Sequence, residues 1–382
     1  MEKLSLILSV YMAVISSGAI VKYFLGLQKK RFCTIREEVK AHRADMQESA
    51  RKLHKKSEHG GLDYHKGIPL LTLEGWLKDT PVPLDAIRLE FKNCPEKLPK
   101  TPNKTRFNYA QKMEKWDPPY IFDDNLQYRL LQVENDRLVF DETPYSYFYK
   151  INYGEYLAYQ FAKTKKLPNT AQRIKKPSDY CILAGVNTLT VIQDEENLRI
   201  IMHNRSRKVG TAMGVYHVIP AGEFQPANRA STSWKDDFSL EKTIMRETAE
   251  ELLDKQEPDP KGICPFDYEI GPYSQIQEEK KKGNIQFLYF GFGLDPLTLQ
   301  GEILTCVIYK RETFDAIFGP EPRNSNPEGQ IVNTGGYWGQ EFTGKVLDSY
   351  LNSHPNGGTL PAAKSLLRLF YDWRQHEGLS HG

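Results

Sequence analysis

The chain of 382 residues is poor in cysteine: Cys33, Cys94, Cys181, Cys264 and Cys306 are scattered, odd in number and without a CxxC pair. That excludes a disulfide framework and a zinc ribbon, and fits a reducing compartment. Net charge is also scarce, because 51 Lys and Arg against 49 Asp and Glu leave a formal +2. There is no global field for DNA, and a polyanion would need a local patch. HExxH, GxSxG and zinc-ligand spacings are absent. Gly339–Val346 (GQEFTGKV) stops one residue short of a P-loop, since Val346 stands where a hydroxyl must bind Mg²⁺. What is present is a 40% hydrophobic chain, enough for packed cores over roughly two domains.

Leu4 to Val21 is uncharged over 18 residues, about 27 Å of helix against a hydrocarbon core of about 30 Å. Snorkelling by Lys22 extends the span to Leu27. Lys29, Lys30, Arg31, Arg36, Lys40 and Arg43 crowd the C-terminal flank, so the positive-inside rule predicts a single-pass inner-membrane anchor over 1–27 with the rest cytoplasmic. A signal peptide fits less well: Lys3 is the whole positive region and no small-x-small cleavage site follows. Residues 28–60 are predicted to form a polar helical stalk ended by Gly60 and Gly61. Ile35, Val39, His42, Met46, Ser49 and Leu53 give it a weak heptad seam that could pair copies of the chain. Its basic residues can rest on anionic membrane lipid.

Residues 61–178 read as mixed α/β. Pro81, Pro83, Pro118 and Pro119 forbid long helices over much of it, and Tyr153, Tyr156, Leu157, Gln160 and Phe161 have the spacing of one amphipathic helix. Tyr145, Tyr147, Phe148, Tyr149 and Tyr153 could stack a base, although aromatics at such spacings are more often core. Nothing in this region names a function.

From 179 to 382 the pattern carries chemistry. Val186 to Gln193 and Leu198 to His203 read as strands around a turn at Asp194–Asn197, a basic loop follows, and Val215 to Ile219 is a third apolar run before Pro220-Ala221-Gly222-Glu223. Phe238 to Asp254 is predicted helical. At 100° per residue Glu247, Glu250, Glu251 and Asp254 fall at about 0°, −60°, +40° and −20°, on one face. Ile244, Met245, Thr248, Ala249 and Leu252 fall opposite and can dock on a sheet. Like charges at this spacing repel, and a hard divalent cation removes that penalty. A solvated acidic face is the plainer alternative. Ile285–Leu294 and Glu302–Tyr309 are further strand candidates, and Leu360–Arg374 an amphipathic closing helix.

Strands, a basic loop, Pro-Ala-Gly and an Arg-Glu-x-x-Glu-Glu helix together resemble the Nudix hydrolase superfamily, with Gly222, Arg246, Glu247, Glu250 and Glu251 matching its box. Three departures stand out. Asn228 replaces the first Glu, seventeen residues rather than seven separate it from Arg246, and Leu253 replaces the closing Gly. Leu253 cannot easily turn left-handed, so the helix should end later. The resemblance implies an α/β (α+β) fold, a mixed-sheet α/β/α sandwich, preceded by the anchor and the smaller mixed region. It implies a Mg²⁺- or Mn²⁺-dependent hydrolase of a nucleoside diphosphate-linked substrate, with Glu247, Glu250 and Glu251 on the metal and Arg246 in the catalytic set. Gly222, Arg205, Arg207 or Lys208 would hold the nucleotide, and Glu278, Glu279 or Glu302 would supply the general base. The altered box leaves open a non-catalytic nucleotide-binding sensor. An anchor followed by a Nudix-like domain is similar to effectors of CBASS antiphage systems, which implies activation by a cyclic nucleotide signal sensed by residues 61–178.

Overall fold

The computed structural model describes residues 2–55, 67–94, 98, 108–119, 124–167, 176–195, 197–205, 214–230, 232–256, 259, 261–326, 329–352 and 358–376, the side chains of residues 2–19 and 55 excepted. Its principal sheet contains β1 (Leu77–Pro83), β2 (Gly185–Asp194), β3 (Asn197–Ile200), β4 (Ala221–Glu223), β5 (Ile285–Leu294), β6 (Gly301–Lys310) and β7 (Gln340–Glu341). The order is β1-β5-β6-β2-β3-β7, with β4 paired to β2. Only β6 and β2 run parallel, Glu302 opposite Gly185 through Lys310 opposite Gln193; the other pairs are antiparallel. The fold is mixed α/β.

Side-chain alternation divides the sheet into two faces. Val186, Ile192, Ile303, Val307 and Tyr309 join one core, with Ile244, Met245, Ala249 and Leu252 of α3 (Leu240–Leu253). Leu189, Val191, Leu304, Cys306 and Ile308 join the other, with Leu366, Leu367 and Phe370 of α4 (Pro361–His376). The expected ten-residue strands and closing helix are present because continuous β-branched and aromatic runs suit a sheet covered on both sides. At Gly291 the β5 register shifts, and a side chain there would collide with the backbone of Trp76 and Leu77. Strand β1 carries Pro81 and Pro83, which an edge strand tolerates because its outer row of backbone donors is not needed by a neighbouring strand.

A smaller sheet pairs Arg88–Lys92 in parallel with Arg137–Asp141, then antiparallel with Arg129–Val133 and Ile182–Leu183. The two sheets interlock: β1 comes from the region before residue 178, and Ile182–Leu183 from the region after it. Phe91, Tyr128, Phe140, Phe224 and Phe238 pack between them, Phe91 stacked on Phe238 at 3.8 Å.

The N-terminus departs from expectation. Among the described residues no helix is long and apolar enough to cross a membrane, so the single-pass inner-membrane location is not supported. The side chains of Leu4 to Ala19, on which that reading rested, lie outside the described residues. From Ile20 onward α1 (Glu2–Ala41) carries Lys22, Lys29, Lys30 and Arg31, then packs into the body. The stretch expected as a polar stalk is helical and packs one side into the body. Phe32, Ile35, Val39, Met46 and Ala50 are buried against Tyr109, Met113, Tyr159 and Ala162. Arg36 Nε donates to Asp117 Oδ2 at 2.5 Å. Helices α1 and α2 (Arg43–Lys55) meet at His42, which is exposed on the expected seam. Gly60 and Gly61 lie outside the described residues.

Candidate active site

Helix α3 begins where Ser239 accepts a hydrogen bond from Lys242 N at 3.3 Å. It ends at Leu253, and Asp254 takes the left-handed conformation with φ 55°. The helix thus closes one residue beyond the position of the missing Gly, on a residue type that tolerates that conformation. Ile244, Met245, Thr248, Ala249 and Leu252 are buried as the periodicity requires, Glu247 and Glu250 are half-buried, and Asp254 is exposed. Glu251 is only 6% exposed; its Oε1 accepts from Ala221 N at 3.1 Å. The Glu247 carboxylate lies against Gly222, where any β-carbon would overlap it. Gly222 is opposite Val186 in the sheet, so this contact forms on the face that α3 covers.

Arg246 points elsewhere. It is 3% exposed, donates to Tyr268 Oη, and reaches Gln225 O at 2.7 Å. Tyr268 Oη in turn donates to Asp237 Oδ1 at 2.9 Å. This chain fastens the inserted loop to the helix. Asn228, in the place of the first box Glu, folds the same loop: its Oδ1 accepts from Ala230 N and Ser233 Oγ, and its Nδ2 donates to Cys264 O.

The opposite face of β4 opens on a cavity of about 160 Å³. Residues 221 and 223 of β4 point there with Asn187 of β2 and Glu302 of β6, beneath the start of α4, and α2 contributes Arg43 and Gln47. Asn187 Nδ2 donates to Glu302 Oε2 at 2.7 Å. Burial pushes the Glu302 carboxyl up to about 8, with Asp295 and Glu223 adding to the rise and Lys150 and Asn187 opposing it; it therefore holds its proton at neutral pH. Lys150 Nζ donates to both Glu223 oxygens at 2.6 Å. Arg43 forks onto Glu155 at 2.5 and 3.0 Å. Burial, helped by Arg205 and His203, holds His217 well below its ordinary range.

Of the expected base candidates, Glu302 alone lines this cavity. Glu278 is exposed on the helix Tyr273–Lys281, and Glu279 is engaged by Lys282 Nζ and Asn284 Nδ2, both at 2.7 Å. Arg205 lines the cavity, whereas Arg207 and Lys208 lie outside the described residues. Tyr147 of the aromatic group reaches the cavity; Tyr145 bonds Asp141, and Tyr153 packs on Tyr180. Sequence reasoning did not select Arg43, Gln47, Lys150, Asn187 or His217. Its available signal was a polar residue inside an otherwise buried strand, at Asn187 and His217.

Glu247, Glu250 and Glu251 have the oxygen chemistry for Mg²⁺ or Mn²⁺. Among the described residues, however, no group of three or more His, Cys, Asp or Glu side chains could hold a metal ion. Glu251 Oε1 accepts from the Ala221 amide, and the Glu247 carboxylate lies against Gly222.

No protein-family profile matches the chain, and no curated protein matches it. Among solved structures it is similar to a Nudix hydrolase from Alicyclobacillus acidocaldarius, with 14% identity over 52% of this chain and 96% of that chain, at a TM-score of 0.28. This is a loose likeness.

Proposed function

We propose that the chain is a Nudix-like hydrolase of a nucleoside diphosphate-linked substrate, with an α/β/α arrangement around its principal sheet. The observation that supports this most is the seating of Glu247 on Gly222: the two halves of the motif, far apart in sequence, meet where strand and helix cross. In this reading Glu247 and Glu250 face the diphosphate and Glu251 fixes the strand to the helix. Arg246 holds the loop between the two halves. Glu247, Glu250 and Glu251 would hold Mg²⁺ or Mn²⁺, and metal-dependent turnover tests whether they do. Incubating the full chain with a panel of nucleoside diphosphate-linked compounds and either metal should release a cleaved product from at least one. Silence across the panel overturns the proposal.

The altered box favours a second reading, a nucleotide-binding module that does not cut. Saturable binding of a panel member without product identifies it. The CBASS setting rested on an anchor preceding the domain. With that anchor unsupported, no antiphage role or cyclic nucleotide signal forms part of the proposal.

A further inference from the structure

The cavity beneath β4 has an unusual balance of charge. Four acids line it, Glu155, Glu223, Asp295 and Glu302, and all are engaged. Arg43 holds Glu155, Lys150 holds Glu223, and Asn187 holds Glu302. Asp295 accepts from Gln47 Nε2 at 2.5 Å, and from the Leu297 and Thr298 amides at 2.9 and 2.8 Å. Arg205 is the remaining cation on the wall; a metal ion would have to break one of the acid pairs in a setting where separating buried charges is costly. A neutral ligand breaks none.

Gln47 Oε1 and His217 Nδ1 are among the buried polar atoms on the wall that lack a partner among the described residues. Their residues are 4% and 6% exposed. Leaving such atoms unpaired is costly, so they are natural anchors for a ligand that supplies hydrogen bonds. Gln47 Oε1 can only accept, whereas a neutral imidazole nitrogen accepts or donates according to tautomer. The rest of the wall includes Tyr147, Ile151, Leu360 and Pro361, apolar surface suited to the faces of a flat ring.

We propose that this cavity binds a neutral planar heterocycle bearing both hydrogen-bond donors and acceptors, the chemistry of a nucleobase, with Gln47 and His217 reading its edge. The site is separate from the acidic face of α3, since the two lie on opposite sides of β4, and binding here does not depend on hydrolysis. Helix α2 supplies one of the two readers, so occupation couples the N-terminal helices to the sheet.

The test uses the full chain with the free bases adenine, guanine, cytosine and uracil, each titrated by calorimetry without metal. At least one should bind saturably. Gln47→Leu, on α2, and His217→Phe, on the strand Tyr216–Val218, should each weaken it at least tenfold, while far-ultraviolet circular dichroism stays that of the wild type. Glu250→Gln should leave it unchanged, which separates this site from the hydrolytic one. Failure of all four bases, or affinity unchanged in a folded Gln47→Leu or His217→Phe, overturns the proposal. So does inorganic phosphate or Mg²⁺ competing with the bound base.

Discussion

The Glu247 carboxylate occupies the space beside Gly222 that a β-carbon would fill. A methyl group there meets the far end of a flexible side chain rather than backbone. Gly222→Ala should therefore swing the carboxylate away at a cost of about 1 kcal/mol or less, while turnover falls at least tenfold. Combined with Glu247→Ala, the stability cost should disappear. A stability loss of several kcal/mol that persists in the double variant would show that the collision is with the fold itself.

Arg246 tests a different role. Its guanidinium is buried on Tyr268 and the Gln225 carbonyl, and its removal takes a partner from Tyr268 and the nearby positive charge from buried Asp237. Arg246→Ala should cost about 3–5 kcal/mol by chemical denaturation. Tyr268→Phe, which removes one hydroxyl from the same chain, should cost about 1–2 kcal/mol. Equal and negligible effects would mean that the loop is held by other contacts.

Burial of the Arg43–Glu155 pair, whose side chains are 9% and 13% exposed, makes the N-terminal helices part of the folded body. Arg43→Ala should destabilise by about 3–5 kcal/mol by leaving Glu155 uncompensated, and Arg43→Met with Glu155→Leu should recover much of it. If Arg43→Ala melts like the wild type, α2 does not dock as described.

Glu302 gives a pH signature. Its carboxyl is pushed up to about 8, chiefly by burial. The charged groups facing it are Lys150, Asp295, Glu223 and Arg43. Because the fold prefers the protonated form, this contribution is fully present below the ordinary carboxyl pKa and is lost as pH rises towards 8. Relative to Glu302→Gln, wild-type stability should decline between about pH 5 and pH 8, by up to a few kcal/mol. Parallel curves would show that Glu302 titrates normally.

What was legible in the sequence was whatever local periodicity determines. Ile244, Met245, Ala249 and Leu252 announced the docked face of α3, and the apolar runs announced β2, β5 and β6. The late closure of α3 at Asp254 followed from the side chain of Leu253. Long-range pairing was not legible. The prolines of LKDTPVP at 77–83 forbid a long helix without naming a strand partner, yet the segment serves as an edge strand beside residues far along the chain. Nor could periodicity show that Val39 and Met46 meet the body rather than a second helix, since both partners ask for the same apolar spacing. For the site, spacing placed the three glutamates on one face, but their rotamers depend on Gly222 and the Ala221 amide. That Glu302, and neither Glu278 nor Glu279, lines the cavity depends on the parallel pairing of β6 with β2.

The most direct measurement compares wild type with Glu250→Gln on whichever nucleoside diphosphate-linked compound is cut, with Mg²⁺ or Mn²⁺ and equal folded protein. Product release should fall at least a hundredfold in Glu250→Gln, with the melting temperature within a few degrees of wild type. Identical rates in the two proteins, whether fast or negligible, would contradict a hydrolytic role for the acidic face of α3.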